Sequence, residues 1–185
     1  MAVVIEDARR VSRRPVVMIS IFEAGHVWSL TNGHASSNLN DTGTTPVLGS
    51  QSAKIVTKSD GTSTHLVLAL GSPIDMTRRM FRVWFYVENI ARLGTVSLYA
   101  ATNSLSSASD RWFLLNGSGG GQFVGDASGW VAMTLPWANP SKAGAGATRS
   151  SITHLRLTCT DDSGGSLTAH FGGVAAVNER LDLWP

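Results

Sequence analysis

Residues 81 to 88 read Phe-Arg-Val-Trp-Phe-Tyr-Val-Glu. Arg82, Trp84, Tyr86 and Glu88 fall on one side of a two-residue period, and Phe81, Val83, Phe85 and Val87 on the other. That alternation marks a strand with one buried face. On its polar side two aromatic rings stand about 7 Å apart along the strand, between a guanidinium and a carboxylate. Such a set can stack on the apolar faces of sugar rings while its neighbours hydrogen-bond the hydroxyls. It can equally pack against a second subunit or a covering loop, because Trp and Tyr are enriched in protein interfaces. Both readings stay open at this point.

Other strands add to the same inventory. GTVSLYAAT (94–102) puts Tyr99 on its polar side, ITHLRLTCT (152–160) puts His154 and Arg156 there, and SLTAHFGGVAAV (166–177) puts His170 there. Pooled, the candidate face is Arg82, Trp84, Tyr86, Glu88, Tyr99, His154, Arg156 and His170. The last two segments read as a closing hairpin joined by the turn DDSGG, which would set His154 and His170 on adjacent strands. With no cysteine beside them, and carboxylates only at Asp161 and Asp162, surface hydrogen bonding is the expectation rather than a metal site. Asp161 and Asp162 are expected to shape the turn before Gly164 and Gly165.

Nucleophilic and phosphate chemistry find no support. There is no Gly-x-Ser-x-Gly elbow, no His-Glu-x-x-His, and no ordering of Ser, His and Asp that marks a triad. The glycines around residue 120 lack the Lys-Ser/Thr ending of a phosphate loop and lie between strands. Cys159 is the single cysteine. It sits on the apolar side of its strand, so a buried thiol in a reducing compartment is expected. No enzyme activity, cofactor or resident metal is expected.

The elements that must position these groups are short strands between turn signals. The pattern predicts strands in 15–23, 52–58, 63–70, 79–89, 94–102, 111–116, 129–137, 152–160 and 166–177, with loops at 24–50 and 138–150. No 3.6-residue period is sustained, no repeat is visible, and no apolar run is long enough to span a membrane as a helix. Eight to ten strands of this kind make an all-β fold, an antiparallel β-sandwich or jelly roll. The domain spans 16–178, after an arm of residues 1–15 that could turn helically up to Pro15, and before a tail of 179–185.

Composition agrees. Charged residues are only 15% of the 185, so the outside is expected to be covered by Ser, Thr and Gly. The net charge of +2 is that of the arm, where Arg9, Arg10, Arg13 and Arg14 face only Glu6 and Asp7. The remaining acidic and basic residues cancel. Lysines occur only at 54, 58 and 142, and do not cluster. This argues against nucleic acid as a partner. The apolar run after the arginines leads into Glu23 rather than a small-residue cleavage site, so secretion by a signal peptide is not expected.

In order, FEAGHVW, GSQSAKIVTKSDGT, SPIDMTRRMFRVWFYVEN, TVSLYAAT, RWF, GWVAMTLPW and ITHLRLTCTDDSGGSLTAHFGGV resemble the jelly-roll carbohydrate-binding modules, including those of bacteriophage tail proteins and cell-wall-active enzymes. The resemblance covers roughly residues 20–177. It implies a calcium held between a Glu after the first strand and an Asp in a last-strand F-D-x-[IV] pattern. Glu23 matches the first position. Phe171-Gly172-Gly173-Val174 has glycine where the aspartate would stand, so no calcium is expected.

The resemblance further implies a non-catalytic structural or adhesion protein of a virion, such as a minor tail or decoration protein assembled in the host cytoplasm. It would dock to other virion proteins through the arm arginines, within a homo-oligomer or larger assembly, and bind host-surface glycan. The alternative it implies is the accessory carbohydrate-binding region of a cell-wall-active hydrolase or deacetylase.

Overall fold

Two antiparallel sheets face each other in the structure, a computed structural model that describes residues 17–20, 22–23, 28–105, 111–118, 129–135, 141–143 and 147–178. The described strands are β1 (Val17–Ser20), β2 (Ser29–Thr31), β3 (Asn38–Asp41), β4 (Ser52–Val56), β5 (Thr64–Ile74), β6 (Arg79–Val87), β7 (Leu93–Ala101), β8 (Arg111–Ser118), β9 (Val131–Leu135), β10 (Ser141–Ala143), β11 (Ile152–Asp161) and β12 (Thr168–Asn178). The first sheet runs β3-β4-β12-β6-β9, with β1 also beside β12; the second runs β10-β8-β7-β11-β5-β2. This is the expected β-sandwich. The arm, the tail and most of the glycine loop at 117–129 lie outside the described residues.

The alternation read from sequence fills the space between the sheets. Phe81, Val83, Phe85 and Val87 of β6 meet Phe171, Val174 and Ala176 of β12 within the core, opposite Leu155, Leu157 and Cys159 of β11. Burial pushes the Cys159 thiol up to about 12, so it packs as a small apolar group.

The expected closing hairpin is corrected. β11 lies in the second sheet between β7 and β5, whereas β12 lies in the first between β4 and β6. A hairpin and a corner crossing between sheets share the same local alternation. The apolar sides of β11 and β12 face each other across the core instead of lying side by side.

The turn that makes this crossing is held as expected. Asp161 Oδ1 accepts from Ser163 N at 2.8 Å and from Gly61 N at 3.1 Å, tying it to the neighbouring β4–β5 turn. Asp162 Oδ1 accepts from Gly164 N at 2.9 Å. Burial works to raise the Asp161 pKa, but the Thr57 hydroxyl and the Ser163 and Gly61 amides outweigh it and hold the carboxyl below its ordinary value.

Three strands, β2, β3 and β10, occupy segments expected to be loop. Each has three or four residues and forms a sheet edge, and short edge strands carry too little alternation to read. β5 runs further than expected, through Pro73 to Ile74. Pairing passes from His154↔Ala69 to Ile152↔Ile74, so the residues between are bulged. A bulge tolerates a proline that has no N–H to give the ladder.

Candidate functional site

The pooled polar face divides between the two sheets. Arg82, Trp84 and Tyr86 on β6, Glu88 immediately after it, and His170 on β12 lie on the outer side of the first sheet. Tyr99 on β7, with His154 and Arg156 on β11, lies on the outer side of the second. The expected neighbourhood of His154 and His170 is therefore corrected, because the whole core separates their strands. On the second sheet, Arg156 lies 4.2 Å over the Tyr99 ring, so that ring face is covered by a guanidinium. His154 Nδ1 and the Thr153 hydroxyl are 2.8 Å apart.

The first sheet carries the richer set. Across β4, β12 and β6, Lys54, His170 and Tyr86 form one row. The Tyr86 and His170 rings stack at 5.5 Å and 21°. His170 is fully buried although it points outward. Its Nε2 lies 2.9 Å from Glu88 Oε1, and its Nδ1 lies 3.5 Å from Asp41 Oδ2. Thr44 Oγ1, in the β3–β4 connection, is 3.5 Å from Nε2. That connection thus closes over one end of the face, which realises the covering-loop reading there.

Trp130 was not among the sequence candidates, and it joins this cluster. Its ring lies 6.1 Å from Tyr86, and its Nε1 donates to Thr45 O at 2.7 Å. A side chain at Gly172 would meet the Trp130 ring at 3.0 Å and Val47 at 3.3 Å, so the glycine forms the floor on which the indole rests. Val47, beside it, is an exposed large apolar residue. The signal was present: Trp130, Ala132 and Thr134 alternate with Val131, Met133 and Leu135. It was not read because the polar side of that strand was not pooled with the rest.

The next rows run down β6. Trp84 has Gly173 on one side and Ala132 on the other. Neither neighbour carries a side chain large enough to wall the half-buried indole. In the row beyond, Arg82 stands between Ala175 and Thr134 and donates from Nε to Thr134 Oγ1 at 3.1 Å. The face therefore offers Trp130, Tyr86, Trp84 and Arg82 in sequence.

Glu23, the residue that matches the resemblance's calcium position, is hydrogen-bonded to Ser50 in this structure. Its carboxylate accepts from the Ser50 amide and, at 2.8 Å, from the Ser50 hydroxyl. These bonds hold its pKa below the ordinary value and pin the chain entering β4. Gly49, at φ 68°, leaves room for that carboxylate where a Cβ could not sit. Among the described residues no three His, Cys, Asp or Glu side chains gather as metal ligands. Arg9, Arg10, Arg13 and Arg14 lie outside the described residues.

No family model matches the sequence, and no curated protein matches it. Solved structures do. A family 11 carbohydrate-binding module from Clostridium thermocellum, solved with a β-1,3-1,4-mixed-linked tetrasaccharide, superposes with a TM-score of 0.58 at 12% identity, covering 88% of this chain and 95% of the module. A family 30 carbohydrate-binding module superposes at 0.61 and 12% identity, covering 94% and 93%. An agarase matches at 0.58 and 8% identity over 89% of this chain, which spans only 25% of the enzyme. At these identities the shared property is the fold. That fold is the β-sandwich seen in these carbohydrate-binding modules, and nothing in these matches brings in a bacteriophage tail protein.

Proposed function

We propose that this domain is a non-catalytic carbohydrate-binding module whose glycan lies along the outer face of the first sheet. The observation that carries this reading is the flanking of Trp84 by Gly173 and Ala132. With small residues on both flanks, the half-buried indole would serve as the platform for a sugar ring, next along the face to Tyr86 and Trp130. Binding sugar by stacking requires such an uncovered platform with hydrogen-bonding groups at its margins. Glu88, Arg82 and Thr134 stand at those margins. The modules of the same fold lend support, since one was solved with a bound tetrasaccharide.

Affinity electrophoresis in gels containing mixed-linked β-glucan or agarose tests it. The intact chain is expected to be retarded by a polysaccharide, and Trp84→Ala to weaken that by about tenfold, the scale of one lost aromatic stack with its buried area. Retardation that survives the Trp84→Ala, Tyr86→Ala double variant would sink the reading. So would a face that binds no glycan and whose Trp84→Ala variant breaks an oligomer on a sizing column, because it would then be a subunit interface.

A place on a virion, docked through Arg9, Arg10, Arg13 and Arg14, is a separate proposal resting on the sequence resemblance. Particle incorporation that persists after deletion of residues 1–14 removes it.

A further inference from the structure

The charge on the proposed binding face is not balanced along its length. Its two described carboxylates, Asp41 and Glu88, both flank His170 at one end. Arg82 stands six residues from Glu88 along β6, about 20 Å away and beyond the range at which exposed charges feel each other in physiological salt. Among the described residues no carboxylate pairs with Arg82. Its hydrogen bond there is the one from Nε to Thr134, so neither Nη group has a hydrogen-bond partner among the described residues. Lys54, the other cation on this face, also has no ion pair among the described residues.

A half-buried guanidinium without a counter-charge is costly, and a ligand that brings one recovers that cost. The planar Nη end matches a carboxylate in a two-point geometry that a lone hydroxyl does not. Trp84, two residues along the same face, would hold the ring that carries the carboxylate.

We infer that this face selects uronic-acid-bearing glycans over their neutral counterparts, with Arg82 receiving a sugar carboxylate beside the Trp84 platform. The inference rests on the glycan-binding reading given above and adds the chemical class of the ligand.

Matched pairs test it by calorimetry: cellohexaose against its C6-oxidised uronic counterpart, and methyl-esterified homogalacturonan against the de-esterified polymer. The acidic member of a pair is expected to bind roughly tenfold tighter at low salt, as one charge-assisted pair allows. That preference should shrink as sodium chloride is raised. Arg82→Gln should bring the acid-to-neutral ratio close to one, while Arg82→Lys keeps part of it. Thermal melting of both variants checks that the fold survives.

Equal binding of both members by the wild type overturns the inference while leaving the glycan reading intact, provided Trp84→Ala still weakens both. A preference unchanged in Arg82→Gln overturns it in the same way. No binding to any of the four probes overturns the inference, and the glycan reading falls with it only if mixed-linked β-glucan and agarose also fail to retard the chain.

Discussion

Replacing His170 with alanine is expected to destabilise the domain by about 3 kcal/mol, lowering the melting temperature by roughly 6–12 °C for a chain of this size. The imidazole is fully buried on the outward side of β12. It fills the space under the β3–β4 connection, stacks on Tyr86, and stands between Glu88 at 2.9 Å and Asp41 at 3.5 Å. Alanine removes all three functions together. It leaves a gap beneath Tyr86, takes away the imidazole that stands between two carboxylates, and leaves Asp41, whose side chain is 14% exposed, with the Thr44 amide as its described partner.

The loss should be partly reversible. Glu88→Gln and Asp41→Asn, each made in the His170→Ala background, remove one of the facing charges and should recover part of the melting temperature. Made in the wild type, the same two substitutions should destabilise it, because each replaces a carboxylate facing the imidazole with a neutral amide. Opposite signs in the two backgrounds are the signature of coupling. A His170→Ala protein that melts within about 2 °C of the wild type would show that the imidazole only occupies space.

This residue also shows what could be read in the sequence and what could not. Alternation placed His170 on the outward side of its strand, correctly, because a period of two is a local property of strand geometry. Its burial is not local. It depends on Asp41 and Thr44, over a hundred residues away in the chain, closing over it. The same division holds for the wider face. Arg82, Trp84 and Tyr86 share one strand and Glu88 follows at its end, so their common face followed from spacing alone. Tyr99, His154 and Arg156 were added on the assumption that polar sides of successive strands share a surface. In a sandwich whose described strands change sheet after β1, β2, β4, β5, β6, β8, β9 and β11, that assumption fails, and the alternation within each strand cannot reveal it. The core strands were legible for their length, and β2, β3 and β10 were not, being too short to show a period.

Restoring a carboxylate at residue 172, where the resemblance implies one, is expected to damage the site instead of completing it. The Cβ of Gly172→Asp would stand 3.0 Å from the Trp130 ring and 3.3 Å from Val47. The indole cannot simply withdraw, because its Nε1 is bonded to Thr45 O. The new side chain must therefore break that bond or push the β3–β4 connection outward, and it sets a charge against apolar rings. The expected cost is about 1–3 kcal/mol, the range for overpacking, together with a red shift of tryptophan emission as the indole becomes wetter.

Glycan binding should fall as well, since Trp130 would leave its position beside Tyr86. Gly172→Ala separates size from charge: it adds only the Cβ, so it should show the same emission shift in reduced form with a smaller loss of stability. Added calcium should rescue neither variant, because Glu23 is already committed to Ser50 and no second described carboxylate joins it. If Gly172→Asp instead gains stability with millimolar calcium, the glycine is a lost metal ligand. If it does not, the glycine belongs to the aromatic platform, where the absence of a side chain leaves room to lay the Trp130 indole on the sheet.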